Sequence, residues 1–207
     1  MAIFKEQHHT DRVSREGKIK YFGISECSST SLRRAYAIHP IHAVQVEYNP
    51  WDLDIEGEEG TNLLSTCREL GVSTFAYAPL GRGIMTGRFK SLDDFEPDDS
   101  RRNWPRFSSE NFPKNLELVE KFKAIADKKG CTPGQLALAW LMAQGEDIIP
   151  IPGTKHINYL EENLGALKVR LSSEEEVEIR KKVDEVKPKG ARNPDGFLNM
   201  FADTPPL

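Results

Sequence analysis

The chain has 207 residues, a formal net charge of -4, 38% hydrophobic residues and 29% charged ones. That composition suits a globular chain long enough for one core, and the slight acidity removes any electrostatic reason to seek nucleic acid or an anionic membrane. Cys27, Cys67 and Cys131 show neither CxxC nor metal-type spacing, which argues against a disulfide framework or a metal site and fits a reducing compartment.

Residues 1–17 form an atypical, polar N-terminal segment with no apolar signal core, so a cytoplasmic location is expected. No apolar run approaches the roughly 18 residues that a membrane-spanning helix needs. The first strand is expected over Ile19 to Ser25, followed by a helix over Ser29 to Ala37 with Ser28 or Ser29 as N-cap. A second strand, Ala43 to Tyr48, leads to a helix from Thr61 to Leu70 that stops at Gly71. The third strand is Val72 to Ala78.

A long excursion rich in Gly, Pro, Arg and Asp then runs from Leu80 to Pro113. Two helices follow, Asn115 to Lys129 and Pro133 to Gln144, the second with Thr132 as N-cap and proline in its first turn. The fourth strand, Asp147 to Ile151, passes through Pro152-Gly153-Thr154 into a helix over about Asn158 to Leu167. A last helix, about Ser173 to Val186, opens on glutamates that suit its dipole. Residues 187–207 read as an irregular, partly disordered tail.

Strand-helix alternation predicts an α/β fold with parallel strands. Four βα units are visible, whereas a closed (β/α)8 barrel has eight in about 250 residues. Residues 18–186 therefore read as half of such a barrel.

Five stretches carry a family resemblance: GKIKYFGISE (Gly17 to Glu26), VQVEYNPWDLDIE (Val44 to Glu56), FAYAPLGRGIMTG (Phe75 to Gly87), Arg101 to Gly145, and IIPIPGTKHINYLEENLGAL (Ile148 to Leu167). In order and spacing they resemble NADP-dependent aldo-keto reductases of the fungal and plant, pyridoxal-reducing type. The resemblance makes the chain the C-terminal half of a (β/α)8 barrel, equivalent to strands five to eight, with extra helices and a long loop. It also implies that the family's catalytic Asp, Tyr, Lys and His lie upstream of the matched residues. His8 and His9 do not stand in the family's histidine context. No residue of this chain is thereby assigned a catalytic role.

By the same resemblance, Ser25 and Gln45 hold the nicotinamide carboxamide, for which a hydroxyl and an amide offer suitable donors and acceptors. Gln45 taken alone reads as a buried polar residue satisfied by the backbone. Glu26 stands where many relatives have Asn. Tyr77 is placed to stack on the nicotinamide, with core packing as the plainer reading. Leu80, Arg82 and Gly83 belong to a loop that folds over the pyrophosphate, the glycines allowing close approach and Arg82 supplying a cation.

Gly153, Thr154 and Lys155 open onto a helix N-terminus, a place that favours anions, and the resemblance assigns Thr154 and Lys155 to the ribose 2′-phosphate. Tyr159 stands where the family often has a basic or amide residue. Glu162 and Asn163 return on the same helix toward the adenine, unless they form only a solvated face. Arg101, Arg102, Trp104 and Phe107 lie in the excursion, as a lid over the site or as a disordered tip.

Three functions follow from these readings. The first is NADP-linked reduction of an aldehyde or ketone, for which Glu47, Tyr48 and His156 carry transferable protons that nothing in the sequence marks. The second is a truncated binding module whose open barrel edges are closed by a second copy or by a separate N-terminal half, or one turned to a non-redox reaction. The third is a fragment of a longer product.

Overall fold

The computed structural model describes residues 14–57, 60–194 and 203. Expectations for His8, His9 and the rest of residues 1–13, and for most of the tail beyond Pro194, lie outside the described residues.

One parallel sheet runs in the order β1 (Gly23–Ser25), β2 (Ala43–Glu47), β3 (Ser73–Tyr77) and β4 (Ile148–Pro150). Its register aligns Ser25 with Gln45, Gln45 with Phe75 and Phe75 with Ile149. Successive strand residues face opposite sides. Val44, Val46, Thr74, Ala76 and Ile148 are buried beneath the helices, while Ser25, Gln45 and Ile149 on the other face stay exposed.

Among the described residues, six helices are complete, in chain order: α1 (Ser29–Ile38), α2 (Leu63–Leu70), α3 (Phe112–Lys129), α4 (Pro133–Ala143), α5 (Ile157–Gly165) and α6 (Ser173–Glu185). Their limits are chemical. Ser28 Oγ accepts from the Ser31 N–H at 3.0 Å and opens α1. Capping boxes pair Thr132 with Gln135 at α4 and Ser172 with Glu175 at α6. Gly71 and Gly130 end α2 and α3 in the left-handed conformation, at φ 69° and 70°. Helix α4 is apolar all round, and it sits centrally, touching β4, α3, α5 and α6.

Several expected boundaries move. The first strand shrinks from Ile19–Ser25 to three residues, because β1 has a neighbour on one side only and Tyr21 is left 71% exposed. Helix α2 begins at Leu63 rather than Thr61, since Asn62 takes a left-handed conformation at φ 50°. Helix α3 starts three residues early, with Pro113 inside its first turn, where a missing N–H costs nothing.

The excursion is ordered. It contains short 3₁₀ turns at Gly81–Thr86, Leu92–Asp94, Ser100–Asn103 and Pro105–Phe107. Phe95 stacks on Phe89 at 4.5 Å between centroids and meets Phe107 edge-on at 5.8 Å. Phe107 is 1% exposed, so it is a core residue and neither lid nor loop tip. Residues 187–194 hold no helix or strand, yet they are pinned: the Asn115 side chain accepts from the Lys189 N–H at 2.7 Å and donates to its carbonyl at 2.9 Å.

Candidate functional site

The C-terminal ends of the strands and the loops after them hold most of the residues singled out above. Ser25 and Gln45 are adjacent register partners, and both are exposed on the open face of the sheet. The buried reading of Gln45 is therefore wrong. Its strand has helices on one face only, and Gln45 points to the other. Glu47 and Tyr77 follow two residues further along β2 and β3 on that same face.

The loop after β3 is bent by Arg82 and Gly83, which adopt φ 56° and 93°. A Cβ at Gly83 would stand 3.1 Å from Phe89 Cε2 and 3.2 Å from Arg101 Nη1, so the backbone passes there only without a side chain. Arg101 Nη1 donates to the Arg82 carbonyl at 2.7 Å and its guanidinium pairs with Asp99, tying the excursion to the loop. The Arg82 guanidinium lies 4.1 Å over the Trp104 ring and bonds Glu47 Oε2 at 2.9 Å.

Between this loop and the turn after β4 lies a cavity of about 310 Å³. Leu80, Arg82 and Gly83 line one side, and Gly153, Thr154, Tyr159 and Asn163 the other. Thr86, Arg88, Phe89 and Arg101 complete the wall, and sequence reading had not selected the first three. Arg88 lies 3.6 Å over the Tyr159 ring and reaches Glu162 at 3.4 Å, so the excursion places a cation beside Tyr159. Helix α5 opens above the cavity with no side-chain cap on its first N–H groups, which keeps its positive end available. A Cβ at Gly153 would meet nothing within 4 Å.

Two of the selected residues turn elsewhere. Glu162 accepts from Thr132 Oγ1 at 3.0 Å and braces α4 against α5. Lys155 is exposed and does not line the cavity. Of the residues with transferable protons, Tyr48 is fully buried beside Trp140, its hydroxyl donating to Glu56 at 2.5 Å. Burial pushes its pKa upward, and its ring lies in the core, so it serves no open site. His156 is exposed at the start of α5.

Beneath the open mouth is an ion network that sequence reading missed. Glu26, Glu47 and Asp52, with side chains 4%, 3% and 0% exposed, face Arg82, Arg106 and Arg192. Arg192 Nη2 donates to Glu26 at 2.8 Å and to the Tyr77 hydroxyl at 2.7 Å, and its Nε to Glu47 at 3.0 Å. Burial raises the pKa of Glu47, with Asp52 adding to the rise and Arg82 and Arg192 opposing it. A larger cavity, about 630 Å³, lies between residues 50–57 and α6. It includes none of the selected residues, and its walls hold the pairs Asp52–Arg106 and Glu56–Arg180.

The aldo/keto reductase family profile matches residues 7–184. The chain is 55% identical over 192 residues to the aldo-keto reductase yakc of Schizosaccharomyces pombe, which is named as NADP(+)-dependent, covering 92% of this chain and 56% of that protein. It is also 55% identical over 193 residues to the aldo-keto reductase str7 of Strobilurus tenacellus, covering 93% and 57%. The chain thus spans a little over half the length of these curated relatives.

Among solved structures, the glycerol dehydrogenase AKR11B4 of Gluconobacter oxydans superposes with a TM-score of 0.78 at 23% identity, over 96% of this chain and 58% of that one. The thermostable aldo-keto reductase Tm1743, solved with the inhibitor epalrestat, gives 0.63 at 27% identity, over 84% and 52%. With the profile covering most of its length and close relatives matching nearly all of it, the chain belongs to the aldo/keto reductase family.

Proposed function

We propose that this chain forms the NADP(H)-gripping half of a (β/α)8 aldo-keto reductase that reduces an aldehyde or ketone. The cavity between the loop after β3 and the turn after β4 carries the proposal, because it joins two glycine-bearing turns, a helix N-terminus and three arginines. That donor set fits a phosphate-bearing nucleotide. The adjacent exposed pair Ser25 and Gln45 suits a carboxamide. When bound, NADPH supplies the hydride.

The chain's residues bind and orient. Ser25 and Gln45 fix which ring face is presented, and Tyr77 supports the ring. Leu80, Arg82 and Gly83 cover the pyrophosphate. Thr154 and Arg88 favour a 2′-phosphate, and Tyr159 and Asn163 flank the adenosine. The proton donor comes from the remaining βα units, whether those belong to a longer polypeptide or a partner. Among the described residues no strand pairs the outer edges of β1 and β4, and those edges suit such a completion. Pairing of two copies is the second reading, supported by the exposed stripe Ile157, Leu160 and Leu164 on α5.

Calorimetric titration with NADPH and NADH tests the cofactor reading. Binding in the micromolar range or tighter, stronger for NADPH, is expected. Equal binding of both would remove the 2′-phosphate assignment, and no binding would remove the cofactor site.

A further inference from the structure

The ion network lies beside Tyr77, at the nicotinamide end of the proposed site. Among the described residues, the carboxylates Glu26, Glu47 and Asp52 pair there with Arg82, Arg106 and Arg192. Asp54, at the more exposed rim, senses the same groups: burial and Asp52 raise its pKa, and Arg106 and Arg192 oppose the rise. Glu26 depends on Arg192 most directly: its Oε1 accepts from Arg192 at 2.8 Å, and its Oε2 is buried with no hydrogen-bond partner.

The same guanidinium nitrogen donates to the Tyr77 hydroxyl at 2.7 Å. One cation therefore bonds the carboxylates at the ends of β1 and β2 and the phenol at the end of β3. An oxidised nicotinamide carries a positive charge that the reduced ring lacks. Carboxylates beside Tyr77 favour the charged ring, and a guanidinium paired with them weakens that preference.

The geometry points to Arg192 as a specificity-determining residue for the redox state of the cofactor: its pairing with Glu26 and Glu47 offsets their negative charge at the floor of the nicotinamide subsite, so that NADP+ gains less over NADPH than the bare carboxylates would give it. This rests on the assignment of Tyr77 to the nicotinamide. Arg192 acts through charge and through Tyr77, and need not touch the ring.

Opposite substitutions test it. Glu26→Gln removes a carboxylate and leaves Arg192 charged, since a guanidinium does not deprotonate in proteins. The ratio of NADP+ to NADPH dissociation constants, measured by calorimetry at pH 8, is expected to rise about tenfold in this near-isosteric variant. Arg192→Met is expected to lower that ratio, and the double variant to return it toward the wild-type value.

A role confined to folding would weaken both nucleotides together and leave the ratio in place. A ratio within twofold of wild type in E26Q, or the same direction of change in both single variants, overturns the inference while the cofactor reading stands. Should R192M fail to fold, E26Q decides alone. If the wild-type chain binds neither nucleotide, the cofactor reading falls and this inference falls with it.

Discussion

Asp52 has a fully buried side chain whose Oδ2 accepts from Arg106 Nη1 at 2.7 Å, with Arg192 Nε 3.8 Å away. Arg106 is itself 11% exposed and its Nε is buried without a hydrogen-bond partner, so Asp52 is the carboxylate that its guanidinium bonds. Asp52→Ala would strand that guanidinium away from water. Breaking a buried pair from one side costs about 3 to 5 kcal/mol, most of it the uncompensated charge. For a chain of this size that lowers Tm by roughly 10 °C. Urea denaturation followed by circular dichroism reads the loss directly, as a lower midpoint with an unchanged slope. Pairing Asp52→Ala with Arg106→Leu should recover much of the loss, because no charge is then left unpaired. A loss below about 1 kcal/mol in the single variant would refute the reasoning, since that is the range of solvent-screened surface pairs.

Gly83→Ala should lower the urea midpoint by an amount equivalent to about 1 to 2 kcal/mol, because φ is 93° and the new Cβ would crowd Phe89 and Arg101. An unchanged midpoint would mean that the loop is free to rearrange. Native-state alkylation with iodoacetamide at pH 8 should modify Cys131 first, as judged by mass spectrometry. Cys27 and Cys67 are 2% and 1% exposed, and burial pushes their thiols up to about 12 and about 11, which leaves almost no thiolate. Labelling of Cys27 as fast as Cys131 would contradict the described packing.

The alternation of strands and helices was legible because its signals are local. Runs such as Ala43 to Glu47 are β-branched and bounded by turns, and Thr132, Ser172, Gly71 and Gly130 punctuate helices by chemistry confined to one turn. The cavity residues were legible through resemblance, whose motifs fall on the two facing turns. What stayed hidden depends on distance along the chain. Gln45 is exposed because nothing described covers the second face of the sheet, a property of topology and not of its neighbours in sequence. Arg88 joins the site through its stacking on Tyr159, across 71 positions of chain. The excursion looked unstructured because its order comes from aromatic contacts among Phe89, Phe95, Phe107 and Phe112, which follow no helical or strand period.

The bond from Arg192 to Glu26 joins residues 166 positions apart. A ribosome makes the carboxylate before its counter-ion, at about 5 to 20 residues per second. For roughly 8 to 33 seconds the nascent sheet therefore carries an acidic cluster with no Arg192 guanidinium to answer it. The mouth of the site reaches its final form as a late folding event, and contacts of such separation are slow to close in any refolding reaction. A jump from denaturant should show the far-ultraviolet signal recovering before the environment of Tyr77 does.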